Sequence, residues 1–272
     1  LDGQVALARE KAVDLVIVAP DDPLAMGLVD RLEAAGIPAF GPRRAAARIE
    51  ASKSFAKDLM RKAGIPTADY VTFDNPVEAL SHVSECPLPV VVKADGLALG
   101  KGVRICHVRE EAVQAVADMM QQEAFGQAGR RVVVESFMTG PELTVLAFSD
   151  GRTVVPMVSS RDHKRAFDGD QGPNTGGMGA VAPGADLSPA QEKDLADRIF
   201  QPTIDALREM GSEFRGVLYF GLMLTPDGPR VVEYNARFGD PEAQAVLPLL
   251  ETDLVDIVEA VLEGRLASCD SR

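Results

Sequence analysis

The sequence is poor in cysteine, has no long apolar run and carries a deficit of positive charge, and each shortage removes a class of function. Cys86, Cys106 and Cys269 are its three cysteines, widely spaced and without a CxxC or a matching histidine pair. Neither a disulfide framework nor a zinc site is indicated, and a reducing cytoplasm is the compartment that fits. The longest unbroken apolar runs, such as Leu15 to Ala19 and Val90 to Val92, fall far short of the roughly 20 residues that cross a bilayer. Lysine and arginine number 28 against 41 aspartates and glutamates, a net charge of -13. That balance opposes non-specific attraction to nucleic acid and to anionic membranes, so neither is an expected partner, and any anionic ligand must meet a local cluster of cations. The opening Leu1-Asp2-Gly3-Gln4 has neither the basic nor the apolar region of a secretory signal, and a leading leucine points to a natural N-terminus farther upstream.

What is present is enough for two or three subdomains: 272 residues, 46% of them hydrophobic. From Asp14 the pattern predicts a strand (15–18), a helix (24–35) stopped by Gly36, and a short strand ending at Phe40, a βαβ fragment with no Gly-rich turn before it. A helix over 54–63 places Phe55, Leu59 and Met60 on one face. The β-branched runs at 90–92, 103–106 and 132–134, with a helix over 110–122, predict a small α+β lobe. Strands at 143–148, 153–158, 217–224 and 230–235, with helices near 189–210 and 252–263, predict a larger one. Residues 161–184 carry six glycines and no periodicity, so a long functional loop is expected there.

Five segments carry chemistry. In Arg230-Val231-Val232-Glu233-Tyr234-Asn235-Ala236-Arg237, a strand of period two sends Glu233, Asn235 and, if it extends, Arg237 to one face. Carboxylate and amide oxygens suit Mg²⁺ and the guanidinium suits a phosphoryl in transit, although the solvent face of an edge strand accounts for the same three residues when they are taken alone. Asp240-Pro241 reads first as a helix N-cap with proline at N1. The segment Val90 to Val103 is not a Walker A loop, since Gly102 follows Lys101 where Ser or Thr is required. A strand, a Gly-rich turn containing Gly100 and a returning strand could instead form a flap in which Lys101 covers a triphosphate, while Lys93 needs an anion; a plain hairpin with a snorkelling lysine is the alternative. The connector from Glu135 through Phe137 and Met138 to Glu142 could flank a base and ribose, and is by itself merely a strand and a turn. Lys53 opens a helix, where the macrodipole disfavours a cation unless phosphate or solvent compensates. Asp162-His163-Lys164-Arg165 and the glycine-rich Gly172 to Gly179 suit a cover that recognises carboxylate or phosphate; His82 and His107 read as bystanders.

Together these segments resemble the ATP-grasp ligases, and within them the phosphoribosylamine–glycine ligase (glycinamide ribonucleotide synthetase) family of purine biosynthesis. Arg237-Phe238-Gly239-Asp240-Pro241-Glu242-Ala243-Gln244 looks like the family signature, Asp162 to Arg165 with Gly172 to Gly179 looks like its substrate loop, and the similarity runs from about Asp14 to about Gly264. The resemblance implies an α/β and α+β chain: two α+β lobes gripping ATP, preceded by a truncated Rossmann-like domain. The expected divisions are 1–45 for the N-terminal remnant, 46–67 for a connecting helix, 68–137 for the small lobe and 138–272 for the large lobe with the metal and substrate site. It implies ATP contacts from Lys53, Lys93, Gly100, Lys101, Glu135, Phe137, Met138 and Glu142, and Mg²⁺ or Mn²⁺ held by Glu233 and Asn235. Arg237 and Lys93 become the catalytic pair. Asp162, His163, Lys164, Arg165, Asn174, Thr175, Gly176, Gly177 and Asp240 become substrate contacts. The implied reaction joins glycine to 5-phosphoribosylamine through glycyl phosphate in a cytoplasmic monomer. Alternatives are another ATP-grasp carboxylate–amine ligase, such as a formate-using transformylase, against which the Asp162 loop argues, or a truncated ATP-binding module without catalysis. One departure is Ala19-Pro20-Asp21, where the family tends to have Gly-Pro-Glu. The Gly-rich phosphate loop and a C-terminal domain are expected outside this sequence.

Overall fold

In a computed structural model, residues 1–98, 102–121, 126–169 and 171–269 are described. The chain opens with α1 (Asp2–Glu10), β1 (Val16–Ile17), α2 (Asp21–Ala25), α3 (Leu28–Ala34), β2 (Ala39–Phe40) and α4 (Arg44–Ala51). Strands β1 and β2 pair in parallel, as a βαβ crossover requires. The single helix expected over 24–35 is in fact two. Gly27 sits between them with φ +86°, a left-handed conformation that interrupts the ladder and lets the chain turn. Helix α1 was not anticipated, and α4 takes up the start of the connecting helix expected over 46–67; α4 is rich in alanine and arginine, and only Ala46, Ala47 and Ile49 give it an apolar face.

Helix α5 (Lys53–Ala63) then leads to the small lobe: β3 (Tyr70–Phe73), α6 (Pro76–Glu85), β4 (Val90–Ala94), β5 (Val103–Cys106), α7 (Arg109–Met120) and β6 (Val132–Ser136). Its antiparallel sheet has the order β3-β6-β4-β5. The alternate valines Val90, Val92, Val132 and Val134 pack with Val83, Ala115 and Met119 from α6 and α7, so two helices cover one face of the sheet.

The larger lobe follows with β7 (Glu142–Asp150), β8 (Val154–Pro156), β9 (Arg161–Asp162), β10 (Arg165–Phe167), β11 (Gln171–Asn174), β12 (Ala180–Val181), α8 (Pro189–Leu195), α9 (Gln201–Glu209), β13 (Arg215–Thr225), β14 (Gly228–Asn235), α10 (Glu242–Val246) and α11 (Leu254–Glu263). Its antiparallel sheet has the order β14-β13-β7-β8. Period two separates its faces: Leu143, Val145, Ala147, Leu218 and Phe220 meet α5 and α9, whereas Leu146, Phe148, Val217 and Tyr219 meet α11 and Phe40. Both faces are covered, so the strands read as nearly continuous apolar runs rather than alternating ones.

A β-bulge breaks that alternation where it matters. Gly221 pairs with Glu233 but Leu222 pairs with Val231, which leaves Val232 as the extra residue. Val231 and Tyr234 therefore stay in the core with α5 and α9, and Glu233 and Asn235 turn to the opposite face, aligned with Gly221 and Tyr219 across the ladder. The stretch 161–184, expected as a long functional loop, forms two small antiparallel ladders: β9 pairs with β12 and, between them, β10 with β11.

Candidate active site

The junction between the two sheets collects the lysines. Lys93, in β4, donates to Glu135 Oε2 at 3.0 Å and to the bulge carbonyl of Val232 at 3.1 Å. The bulge frees that carbonyl from the ladder, and the small-lobe lysine takes it. From α5, Lys57 reaches the same Glu135 oxygen at 3.0 Å and also donates to Thr67 Oγ1 at 2.8 Å. Lys57, Lys93 and Glu135 are all buried, and burial lowers Lys57 to about 8 even though Glu135 opposes the shift. Glu135 Oε1 has no hydrogen-bond partner among the described residues. A buried carboxylate oxygen in that condition costs free energy unless something else reaches it.

Lys53 stands at the start of α5, where a cation is disfavoured, and the structure shows what compensates. It donates to the Gly96 carbonyl at 2.8 Å. The helix N-terminus itself receives the Asp95 carboxylate, which accepts from Ser54 N at 3.0 Å and from Ser52 Oγ at 3.1 Å, so small lobe and helix are clasped together. Burial lowers the Lys53 pKa, with nearby Glu233 pulling the other way.

Glu233 is the electrostatic centre. Although burial opposes its charge, Lys164, Lys93, Lys53 and Arg237 together hold its carboxyl below the ordinary range. Lys164 has the complementary position: burial disfavours its charge, but Glu233, Glu142, Asp162 and Glu242 outweigh that and raise its pKa. It lies 3.6 Å from Glu142 and 3.7 Å from Asp162. Tyr219 approaches Thr144 Oγ1 at 3.0 Å and donates to Glu242 Oε1 at 3.1 Å. Burial raises Glu242, and burial with Glu233 and Glu242 raises Tyr219. Gly221 keeps the row open, since a Cβ there would lie 3.1 Å from Glu233 Cγ.

Strand β14 ends at Asn235, so Arg237 does not share the strand face as the extended pattern predicts. It reaches the site from the following turn, with its guanidinium 3.5 Å from Asn235 Oδ1 and 3.1 Å from Glu50 Oε1. Asp240 is likewise not the helix cap: α10 begins at Glu242 with Pro241 in the cap position, and Asp240 accepts from Gln244 Nε2 at 2.7 Å. A cap residue must be adjacent to the first turn, and Asp240 lies one residue too early.

Residues 162–165 and 172–179, the segments read as a substrate loop, face each other. Lys164 O accepts from Thr175 N and Oγ1 at 2.7 and 2.9 Å, His163 N donates to Gly179 O at 2.9 Å, and Arg165 is the register partner of Asn174. Gly177, at φ +131°, packs where a Cβ would fall 2.5 Å from Pro241 Cδ, and this brings the loop onto the Asp240 turn; the adjoining Gly176 is exposed. Phe137 and Met138 are half-buried on the connector, with His107 at the edge of the Phe137 ring, and Glu142 is exposed. Gly100 and Lys101 lie outside the described residues, as do the side chains of Arg165 and Asn174.

Glu50, Lys57 and Tyr219 escaped the sequence reading, and Glu242 entered it only as part of the family signature. Each sits in an apolar or helical context, and the available signal was only that a charge on such a face needs a partner.

Comparison with known proteins gives the family and the fold. The family model described as "Phosphoribosylglycinamide synthetase, ATP-grasp (A) domain" matches residues 51–243, and "Phosphoribosylglycinamide synthetase, N domain" matches residues 1–50. The chain belongs to the phosphoribosylglycinamide synthetase family. Among members of that family, it is 51% identical over 264 residues to the phosphoribosylamine–glycine ligase of Halalkalibacterium halodurans, covering 97% of this chain and 62% of that protein. It is 46% identical over 261 residues to the trifunctional purine biosynthetic protein adenosine-3 of Homo sapiens, covering 96% of this chain and 26% of that protein. The crystal structure of the phosphoribosylamine–glycine ligase of Thermotoga maritima aligns with a TM-score of 0.77 at 38% identity, covering 83% of this chain and 57% of that one. A biotin carboxylase domain from Hydrogenobacter thermophilus shares the fold at 19% identity, with a TM-score of 0.76 over 97% of this chain and 56% of that one. The fold is ATP-grasp. The chain spans about three fifths of the length of its Halalkalibacterium halodurans relative.

Proposed function

We propose that the protein ligates glycine to 5-phosphoribosylamine at the expense of ATP, giving glycinamide ribonucleotide, ADP and phosphate. The observation that carries this reading is the convergence of four cations, Lys53, Lys93, Lys164 and Arg237, on the carboxylate of Glu233. In a chain of net charge -13 such a gathering of cations suits a polyphosphate. The unpartnered Glu135 Oε1 fits the same ligand, since a buried acceptor beside the connector can take an amino group of a base.

Glu233 and Asn235 fit a hard divalent cation: one ionised carboxylate and one amide oxygen on the same strand face, an oxygen donor set of the kind Mg²⁺ or Mn²⁺ takes with phosphate oxygens completing the shell. When bound, the metal supplies charge neutralisation of the triphosphate. The chain's own residues do the rest. Lys93, fixed by Glu135 and the Val232 carbonyl, and Lys53, fixed by Gly96, hold the phosphates in line. Arg237 stabilises charge on the phosphoryl in transit and on the glycine carboxylate. The carboxylate oxygen bonds to the γ-phosphorus as the bond to ADP breaks, turning a poor electrophile into an acyl phosphate. The amine nitrogen of phosphoribosylamine then bonds to the acyl carbon, phosphate leaves, and the nitrogen gives up its proton. The 161–184 hairpins, resting on the Asp240 turn, exclude water from the acyl phosphate.

Within this reading, residues 1–45, 46–67, 68–137 and 138–272 serve as N-terminal unit, connecting helix, small lobe and substrate-bearing large lobe. The deciding experiment is ADP release with ATP and Mg²⁺, with and without glycine and phosphoribosylamine. Release that needs both substrates, with glycinamide ribonucleotide found by mass spectrometry, supports the reading. ADP release indifferent to glycine, or dependent on another carboxylate, overturns it.

A further inference from the structure

Glu50 is a buried carboxylate that the reaction as outlined does not use. It lies on α4, whose Ala46 and Ile49 pack in the core of the larger lobe and whose Ala47 packs in the N-terminal unit. Its side chain crosses to a turn 186 residues away: Oε2 accepts from Ala236 N at 2.7 Å and Oε1 meets Arg237 Nη2 at 3.1 Å. Arg237 also donates from Nη1 to its neighbour's carbonyl, Phe238 O, at 3.0 Å. The guanidinium is thus held between a backbone carbonyl and Glu50, with the Asn235 amide oxygen on the same nitrogen at 3.5 Å. Ion pair and backbone bond fix both the side chain and the turn that carries it, a two-point constraint that neither contact supplies alone. A carboxylate kept dry is costly unless paired, and here both oxygens are used.

We propose that Glu50 is the positioning residue for Arg237, setting the guanidinium where phosphoryl charge develops and thereby making α4 part of the catalytic machinery of the larger lobe. The inference rests on the assignment of Arg237 to the phosphoryl-transfer site. Glu50 does not touch ATP or glycine in this scheme. Replacing it should leave ATP affinity alone and lower turnover, because misplacement of an active-site group by about 1 Å can cost on the order of 100-fold.

The test uses the whole protein and three variants, Glu50→Gln, Arg237→Gln and the double variant, with ATP affinity, kcat for glycine-dependent ADP release, and the rate of phenylglyoxal modification of Arg237 mapped by peptide mass spectrometry. Glu50→Gln keeps an acceptor for Ala236 N and loses the charge. The expected result is kcat down about 10- to 100-fold, ATP affinity within twofold of the unaltered protein, and faster labelling of Arg237. In the double variant the Glu50 substitution should add nothing, because its effect passes through Arg237. Unchanged kcat in folded Glu50→Gln, or penalties that multiply in the double variant, overturns the proposal. If the unaltered protein releases no ADP with glycine, the functional reading fails instead. Labelling then decides the pairing alone, and equal rates with and without the Glu50 carboxylate reject it. Should Glu50→Gln not fold, Glu50→Asp keeps the charge and draws it back; unchanged kcat and labelling in that variant count against the proposal equally.

Discussion

Lys57 shows how a buried charge can be read as a stability statement. An ordinary lysine holds its proton to about 10.5, whereas burial brings Lys57 down to about 8 in the folded chain. Between those values the unfolded chain binds more protons, so this group makes stability rise with pH from about 8 toward 10.5, and below 8 its burial penalty is present in full. Urea unfolding at a series of pH values should therefore show the unaltered protein gaining on Lys57→Met by on the order of 1–2 kcal/mol between pH 8 and 9.5. Parallel profiles would mean that Lys57 does not titrate in that window. Glu233 is different, because four cations face it. Glu233→Ala should lower glycine-dependent ADP release by more than about 100-fold at saturating Mg²⁺, in keeping with loss of transition-state electrostatics, and a folded variant with unchanged turnover would remove Glu233 from the metal site. Lys93→Met deletes the cation but keeps the stem, so ATP affinity should fall; unaltered affinity, measured by calorimetry, would leave Lys93 as a structural partner of Glu135. The sequence exposed Lys93, Glu233 and Arg237 because their neighbours are motif-like. It hid Glu50 and Lys57, because a charge inside an ordinary amphipathic helix is indistinguishable from a solvated one until its burial is known.

At the scale of elements, the strands were legible wherever β-branched residues ran together, as in Val90 to Val92 and Val132 to Val134, and the helices wherever an apolar face recurred, as in α5. What was not legible was anything that depended on a partner strand. The bulge at Val232 is such a case: period two would have placed Val231 and Glu233 on one face, and only the register with β13 separates them. Strand β3 was missed because it is short and only half-buried, and the hairpins of 161–184 because their pairings join glycine-rich segments with no apolar alternation. Those hairpins bury little, with Phe167, Met178 and Val181 exposed, so bound substrates should supply most of their order. Limited proteolysis should cut between 161 and 184 more slowly with ATP, glycine and Mg²⁺ than without; equal rates would argue against a cover. Gly177→Ala should weaken substrate affinity, since its Cβ would collide with Pro241 and the backbone there is strained for any side chain.

Beyond the N-terminal unit, the described residues form two four-stranded antiparallel sheets with separate apolar cores, and polar contacts join the two at one junction. The small-lobe core holds Val83, Val92, Met119 and Val134, whereas α5 contributes Phe55, Leu59 and Met60 to the core of the larger lobe. Across the junction run the Lys93 bond to Val232, the Lys57 and Glu135 pair, the Asp95 clasp on Ser52 and Ser54, and the Lys53 bond to Gly96. Apolar burial within each lobe scales with its area, whereas a net hydrogen bond contributes only about 1 kcal/mol. The small lobe should therefore open as a unit at lower cost than the larger lobe unfolds. Nucleotide bound at Lys53, Lys93 and Glu233 would engage both sides of the junction and stabilise the closed arrangement by mass action, about 2.7 kcal/mol at 100 times the dissociation constant. Hydrogen exchange makes this measurable. Without ligand, amides of β4 and β6 should exchange through an opening of lower free energy than amides of β7 and β13; with saturating ATP and Mg²⁺ the small-lobe amides should slow toward the larger-lobe values. Lys93→Met should reduce that slowing while leaving the larger-lobe amides where they were. Identical protection of the two sheets before ligand is added would show that the polar junction couples them as tightly as a shared core, and nucleotide could then not act by closing one lobe on the other.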